Sequence, residues 1–148
     1  MILVSACLCG INCNYKGESK PNEKVLDLVK SRKAIPVCPE QLGGLTTPRS
    51  GARIVSGKGE DVLDGKSKVI TDDGQDVTIN YVKGAKEVLA LAKMLNVKEV
   101  ILKQGSPSCG CGKTQGGEMQ RILVQGDGAT TSLLKKNGIN VSSEEMIK

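Results

Sequence analysis

The stretch TINYVKGAKEVLALAKMLNVKEVILKQGSPSC, residues 78–109, decides the fold. Val82, Ala85, Val88, Leu89, Ala92 and Leu95 recur at helical spacing and form one apolar face, which Asp76 or Thr78 can cap and Asn96 can end. The apolar run 100–102 then reads as a buried strand, because it is short and follows directly on a helix. It opens into a glycine-rich loop, 105–117, which carries Cys109 and Cys111. A helix leading into a buried strand that ends in a polar loop is the repeating unit of a parallel sheet.

The same unit recurs on either side. Residues 2–4 form an apolar run that stops at Ser5, just before Cys7, and residues 34–37 form a second one that ends at Cys38-Pro39. Between them Val25, Leu26, Leu28 and Val29 recur at helical spacing behind Pro21 or Asn22. The middle, residues 43–74, is rich in glycine and polar residues, and its spacing predicts short strands at 53–55 and 68–71 around a turn. Downstream lie a short strand at 122–124, a helix at 130–137 closed by Gly138, and a final strand at 139–141. Ser142 with Glu145 reads as a capping box for a last short helix. The whole is expected to be one α/β domain over residues 1–148, a mostly parallel, Rossmann-like sheet flanked by helices.

Composition narrows the function. The 148 residues are 39% hydrophobic and 25% charged, with a net charge of +5. No apolar run approaches the roughly 20 residues that cross a bilayer. The opening residues 1–8 are too short and insufficiently basic for a signal peptide, so a cytoplasmic location is expected. There is no histidine, which removes the Ser-His-Asp triad, the Cys-His pair and the histidine-bearing zinc finger. Tyr15 and Tyr81 are the only aromatic residues, too few for the stacking platforms that grip single-stranded nucleic acid.

Six cysteines remain, and in a reducing compartment they are not expected to form disulfides. Cys7, Cys9 and Cys13 lie in SACLCGINC, Cys38 in VCPE, and Cys109 and Cys111 in SPSCGCG, all beside glycine, proline or serine. Cys7, Cys38 and Cys109 each follow the end of a predicted core strand. In a parallel sheet those ends share the edge where ligands bind, so three thiols distant in sequence are expected in one crevice. The absence of Cys-x-x-Cys argues against a thioredoxin pair and a zinc ribbon, and the closely spaced ferredoxin pattern is also missing. Soft thiolates select zinc, copper(I) or iron–sulfur clusters, while reactive or merely superficial cysteines fit the same spacing. Gly112-Lys113-Thr114 imitates the end of a phosphate-binding P-loop, but Pro107 stands where that loop needs its first glycine.

Five segments together resemble the thiouracil desulfidases: Ser5 to Gly10; Pro36 to Glu40 with Gly43-Gly44-Leu45 and Pro48-Arg49; Gly74 to Thr78; Ile101 to Lys103 with Ser106 to Gly110; and Gly138-Ile139 through Ser143 to Glu145. The resemblance spans nearly the whole chain. It implies a 4Fe–4S cluster held by Cys7, Cys38 and Cys109, with the fourth iron free to bind the sulfur of a thiolated pyrimidine. It also implies Glu40 as the catalytic carboxylate and Ser106 as the active-site serine. The implied reaction is a non-redox hydrolysis in which water replaces sulfur, giving the uracil compound and sulfide.

The chain departs from the family pattern at Lys16, where an acidic residue usually follows the tyrosine, and over residues 112–121, GKTQGGEMQR, where an aromatic, acidic stretch is usual. Cys9, Cys13 and Cys111 are extra thiols, any of which could supply a fourth ligand. The expected partner is a small thiolated uracil base or nucleotide, with no membrane and no polymeric nucleic acid. Arg49, Arg53, Lys103 and Lys113, with the amides of residues 110–117, are candidates to hold a single phosphate. Two other readings compete: a non-enzymatic iron–sulfur redox sensor in which Cys9 or Cys111 completes four-cysteine ligation, and a zinc-stabilised binding domain.

Overall fold

A computed structural model describes residues 1–147. Its central sheet is four-stranded and wholly parallel, in the order β2-β1-β5-β8, from β1 (Ile2–Ser5), β2 (Ala34–Val37), β5 (Glu99–Leu102) and β8 (Asn140–Ser143). The register pairs Leu3 with Ile35 on one side and with Val100 on the other. Both faces of β1 are buried: Leu3 packs with Val88, Val100 and Leu102, and Val4 with Leu8 and Val25. Covering by helices on both faces explains why the strands read as unbroken apolar runs and not as alternating ones.

Between β1 and β2 runs α1 (Glu23–Lys30), whose Asn22 side chain accepts hydrogen bonds from the Lys24 and Val25 amides at 3.1 and 3.2 Å. The long helix α4 (Thr78–Met94) buries Tyr81, Ala85, Val88 and Ala92. Leu95 is exposed instead of joining the expected apolar face, because the helix stops at Met94 and Asn96 turns the chain with φ 54°. The helix at 130–137 is α5 (Ala129–Lys136), and Gly138 (φ 77°) turns the chain after it, as anticipated.

A second, mixed sheet in the order β4-β3-β6-β7 collects the middle strands β3 (Ala52–Ile54) and β4 (Val69–Thr71). It also holds the hairpin of β6 (Lys113–Gly116) and β7 (Ile122–Gln125). Strand β6 falls within the stretch expected to be loop: its sequence, KTQG, has no apolar alternation, and only pairing to β3 and β7 makes it a strand. Lys113 and Thr114 therefore lie in a strand, far from any P-loop geometry. The last cap is displaced by one residue. Strand β8 extends through the Leu102–Ser143 pair, so Ser142 stays in the ladder and Ser143 accepts from the Glu145 amide at 3.2 Å.

Three further short helices escaped the sequence pattern: a 3-10 turn at Ala6–Cys9, α2 (Pro39–Leu42) and α3 (Gly59–Leu63). Of these, α2 matters most, because it carries Glu40. Two glycines let it lie directly on α4. A Cβ on Gly84 would stand 2.1 Å from the Pro39 carbonyl oxygen, and one on Gly43 would stand 2.1 Å from that of Asn80. The Asn80 amide then donates to the Gly43 carbonyl at 2.9 Å and closes the contact. Among the described residues no helix is long and apolar enough to cross a membrane.

Candidate active site

The carboxyl ends of β1, β2 and β5 open into a cleft of about 220 Å³. Its wall includes Cys7 from the 3-10 turn after β1, Cys38 at the head of α2, and Cys109 from the loop after β5. The structure thus brings together the three cysteines that the topology predicted would meet. Cys7 and Cys38 are half-buried and Cys109 is buried.

The loop after β5 is tied down at several points. The Ser5 hydroxyl accepts from the Lys103 amide at 2.8 Å, and the Gln104 side chain clasps Cys111 by accepting from its amide (2.8 Å) and donating to its carbonyl (2.7 Å). The Ser106 hydroxyl oxygen accepts from the amides of Ser108 and Cys109, both at 3.0 Å. Thr131 of α5 donates to the Cys109 carbonyl at 3.0 Å, and the Ser108 and Thr130 hydroxyls meet at 2.6 Å. Gly128 permits this close approach of α5, since a Cβ there would stand 2.5 Å from the Ser108 carbonyl carbon. Cys109 is accordingly held on a braced turn although its segment reads as loop.

Glu40 sits at the centre of the polar contacts. The Ser106 hydroxyl donates to its Oε2 at 3.2 Å, and Arg49 Nη2 lies 3.7 Å from the same oxygen. Its Oε1 lies 4.0 Å from the Cys109 sulfur. The two side chains of the ion pair are only 9% (Arg49) and 11% (Glu40) exposed, so the pair is shielded from solvent screening. Arg49 also donates to the carbonyls of Cys13 (3.1 Å) and Thr46 (3.2 Å) and to the Thr47 hydroxyl (3.1 Å). It is therefore a brace joining Glu40 to the Cys13 turn, not a cation free to grip a ligand.

The thiols crowd one another. Hydrogen bonding with Cys38 pulls the Cys13 thiol down, but hydrogen bonding with Cys7, burial and the charges of Cys7 and Glu40 outweigh it and push it up to about 11. Its hydrogen bond with Cys13, then burial and the Glu40 charge, drive Cys38 far above the ordinary thiol range. Burial, Glu40 and Cys38 do the same to Cys109. Several soft donors and a carboxylate thus face one cleft, and their thiolate forms are disfavoured without a cationic centre among them. That is the donor set an iron–sulfur cluster requires, and the residues fit it. Among the described residues no three such groups are gathered closely enough for a single metal ion. A tetrahedral zinc ion with Zn–S bonds of about 2.3 Å demands that closeness.

The other cysteines separate clearly. Cys9 donates to the Ser5 carbonyl (3.7 Å) and Cys111 to that of Val141 (3.5 Å), and neither lines the cleft. Cys13 does line it and is 2% exposed.

Of the four proposed phosphate-binding cations, Arg49 and Lys103 border the cleft and two do not. Arg53 donates to the carbonyls of Gly117 (3.0 Å) and Glu118 (3.1 Å), bracing the hairpin, and Lys113 pairs with Glu145 at 3.4 Å. The amides of Gly110, Cys111, Gly112 and Gln115 all have acceptors within the protein, so the expected amide cradle does not form. Tyr81, Lys20 and Arg121, none of them a candidate from the sequence, also line the cleft, and the Arg121 guanidinium lies 5.0 Å from the Tyr15 ring centre. The unusual stretch 112–121 was the signal for Arg121; nothing in the sequence marked Tyr81 as more than a helix residue.

The Bacillus subtilis (strain 168) protein YbbK, described as uncharacterized, is 49% identical over 144 residues, covering 97% of this chain and 95% of its own length. A solved structure of the [4Fe-4S]-dependent thiouracil desulfidase TudS (DUF523Vcz) superposes with a TM-score of 0.86 at 37% identity, covering 99% of this chain and 91% of that one. The family model described as 2-thiouracil desulfurase matches residues 2–146, and the chain belongs to that family.

Proposed function

We propose that the protein is an iron–sulfur-dependent desulfidase that exchanges the sulfur of a thiolated uracil compound for the oxygen of water. The observation that carries this reading is the convergence of Cys7, Cys38 and Cys109 on one cleft beside the Ser106–Glu40 hydrogen bond of 3.2 Å. The three thiolates would hold a 4Fe–4S cluster, which supplies a soft Lewis-acid iron matched to a thiocarbonyl sulfur. A cleft full of unpaired thiols also suits the reducing cytoplasm.

The chain's own residues perform the proton chemistry. Ser106 and Arg49 both engage Oε2 of Glu40, which leaves Oε1, on the Cys109 side, to take a proton from the attacking water. Water adds its oxygen to the ring carbon, the carbon–sulfur bond breaks, and sulfide leaves with the protons. Carbon keeps its oxidation state, so no electron donor is needed. Ser106 is a positioning residue, since its proton goes to Glu40 and its oxygen accepts two backbone amides.

The small cleft favours a base or a mononucleotide, 4-thiouracil or 4-thiouridine monophosphate, over a polymer. Lys20 at its wall is the cation suited to a single phosphate, whereas Lys103, also at the wall, is held by Glu144 at 3.1 Å and by the Gln104 carbonyl at 3.1 Å. The test is anaerobic reconstitution followed by incubation with 4-thiouracil and 4-thiouridine monophosphate. Equimolar sulfide and uracil product are expected without added reductant. Iron-replete protein that releases no sulfide from either compound would refute the reading.

A further inference from the structure

Tyr81 of α4 is only 5% exposed, and it belongs to the apolar cluster of Ala52, Ile54, Val69 and Val77 beneath the second sheet. It nevertheless lines the cleft. Among the described residues its hydroxyl makes no hydrogen bond, and no fully buried side-chain nitrogen or oxygen lacks a partner. Both statements hold only if the hydroxyl is the part of Tyr81 that emerges into the cleft. An aromatic ring anchored in a core, with an unpaired hydroxyl at its tip, is a donor preset for a ligand.

Other donors at the wall are already committed. Ser106 donates to Glu40, Arg49 faces the same carboxylate, Lys103 pairs with Glu144 at 3.1 Å, and Arg121 donates to Asp72 at 3.0 Å. Burial and then the Glu40 charge push the Tyr81 phenol well above its usual range, against an opposing pull from Arg49, so the hydroxyl keeps its proton. We propose that the Tyr81 hydroxyl donates a hydrogen bond to the ring carbonyl oxygen of the thiolated uracil, the C2 carbonyl in 4-thiouracil, and so selects that ring. This rests on the desulfidase reading given above. With the thiocarbonyl sulfur directed at the cysteine wall, the carbonyl is the acceptor left on the base, since the ring N–H groups only donate. The contact needs no rearrangement of the protein, because core packing already fixes the phenol ring. A pyrimidine lacking that carbonyl would cover the hydroxyl and leave it unpaired, which is how a polar pocket rejects an analogue.

The test uses wild type and Tyr81→Phe, each reconstituted anaerobically and normalised to bound iron. Phenylalanine keeps the ring and removes only a hydroxyl without a protein partner, so Tm should not fall. KM for 4-thiouracil should rise at least about tenfold with kcat within about threefold of wild type, the pattern of a lost binding contact. Calorimetric titration then uses two unreactive rings, uracil and pyrimidin-4-one, the second of which has no C2 carbonyl. Wild type should bind uracil at least about tenfold more tightly than pyrimidin-4-one, and Tyr81→Phe should bring the two within about threefold. The wild-type comparison decides the matter even where the variant does not fold. Uracil bound by wild type no better than pyrimidin-4-one, equal losses of both ligands in Tyr81→Phe, or a loss confined to kcat would overturn the proposal. Failure of the desulfidase reading shows separately, as absent sulfide release from iron-replete wild type.

Discussion

Replacing Glu40 by glutamine removes the base and very little else. The amide oxygen can take the place of Oε2, accepting from Ser106 at 3.2 Å and facing Arg49, while the amide nitrogen occupies the Oε1 position. Arg49 loses a carboxylate 3.7 Å away but keeps three other acceptors, so the stability cost should stay within about 1–3 kcal/mol. The cluster ligands are untouched. Loss of a positioned general base typically costs 10²–10⁴-fold, about 3–5 kcal/mol of barrier height. Sulfide release under anaerobic conditions should therefore fall at least about a hundredfold, with iron content and 4-thiouracil binding near wild type. Glu40→Asp is the companion variant. It keeps the charge but withdraws the carboxylate by roughly one carbon–carbon bond, about 1.5 Å. A displacement of that order can itself cost about a hundredfold, so partial activity between those of wild type and Gln is expected. An iron-replete Glu40→Gln protein within about threefold of wild-type turnover would refute the assignment.

The ligand set makes a second prediction: Cys7→Ser, Cys38→Ser or Cys109→Ser should each lose the cluster, while Cys9→Ser and Cys111→Ser should keep it, read as iron per chain. Retention by Cys109→Ser with loss in Cys111→Ser would reverse the assignment. Gly84→Ala forces a methyl to within 2.1 Å of the Pro39 carbonyl oxygen and should cost about 1–3 kcal/mol in urea unfolding, with a larger loss of turnover because α2 carries Glu40. Asp76 accepts from the Thr78 amide at 3.0 Å and from its hydroxyl at 2.6 Å, and these bonds hold its carboxyl below the usual range. A lowered folded-state value stabilises above the unfolded value and loses that contribution as pH falls. Because Asp76 is exposed and solvent screens its charge, Asp76→Ala should lower Tm by only about 1–2 °C at pH 7 and by almost nothing near pH 2, measured by scanning calorimetry. For the nucleotide, Lys20→Ala should reduce any preference for 4-thiouridine monophosphate over 4-thiouracil, and Arg53→Ala should leave that ratio unchanged, since Arg53 braces the β6–β7 hairpin outside the cleft.

The sequence by itself determined the parallel sheet and the meeting of Cys7, Cys38 and Cys109. Apolar runs next to helical periodicity read as βα units whatever their surroundings, and the ends of parallel strands share one edge. The caps at Asn22 and the turns at Asn96 and Gly138 were legible for the same reason, because their chemistry acts within a few residues. Tertiary structure alone decided the rest. Strand β6 exists through its pairing with β3 and β7, not through its own residues. Arg49, Arg53, Lys103 and Lys113 look equivalent along the chain, yet one braces Glu40, one braces a hairpin, one pairs with Glu144 at the cleft wall and one pairs with Glu145 away from it. The six cysteines likewise carry no local mark separating Cys13, which lines the cleft, from Cys9 and Cys111, turned toward carbonyls elsewhere. What a side chain faces depends on segments tens of residues away, and no local pattern can encode it.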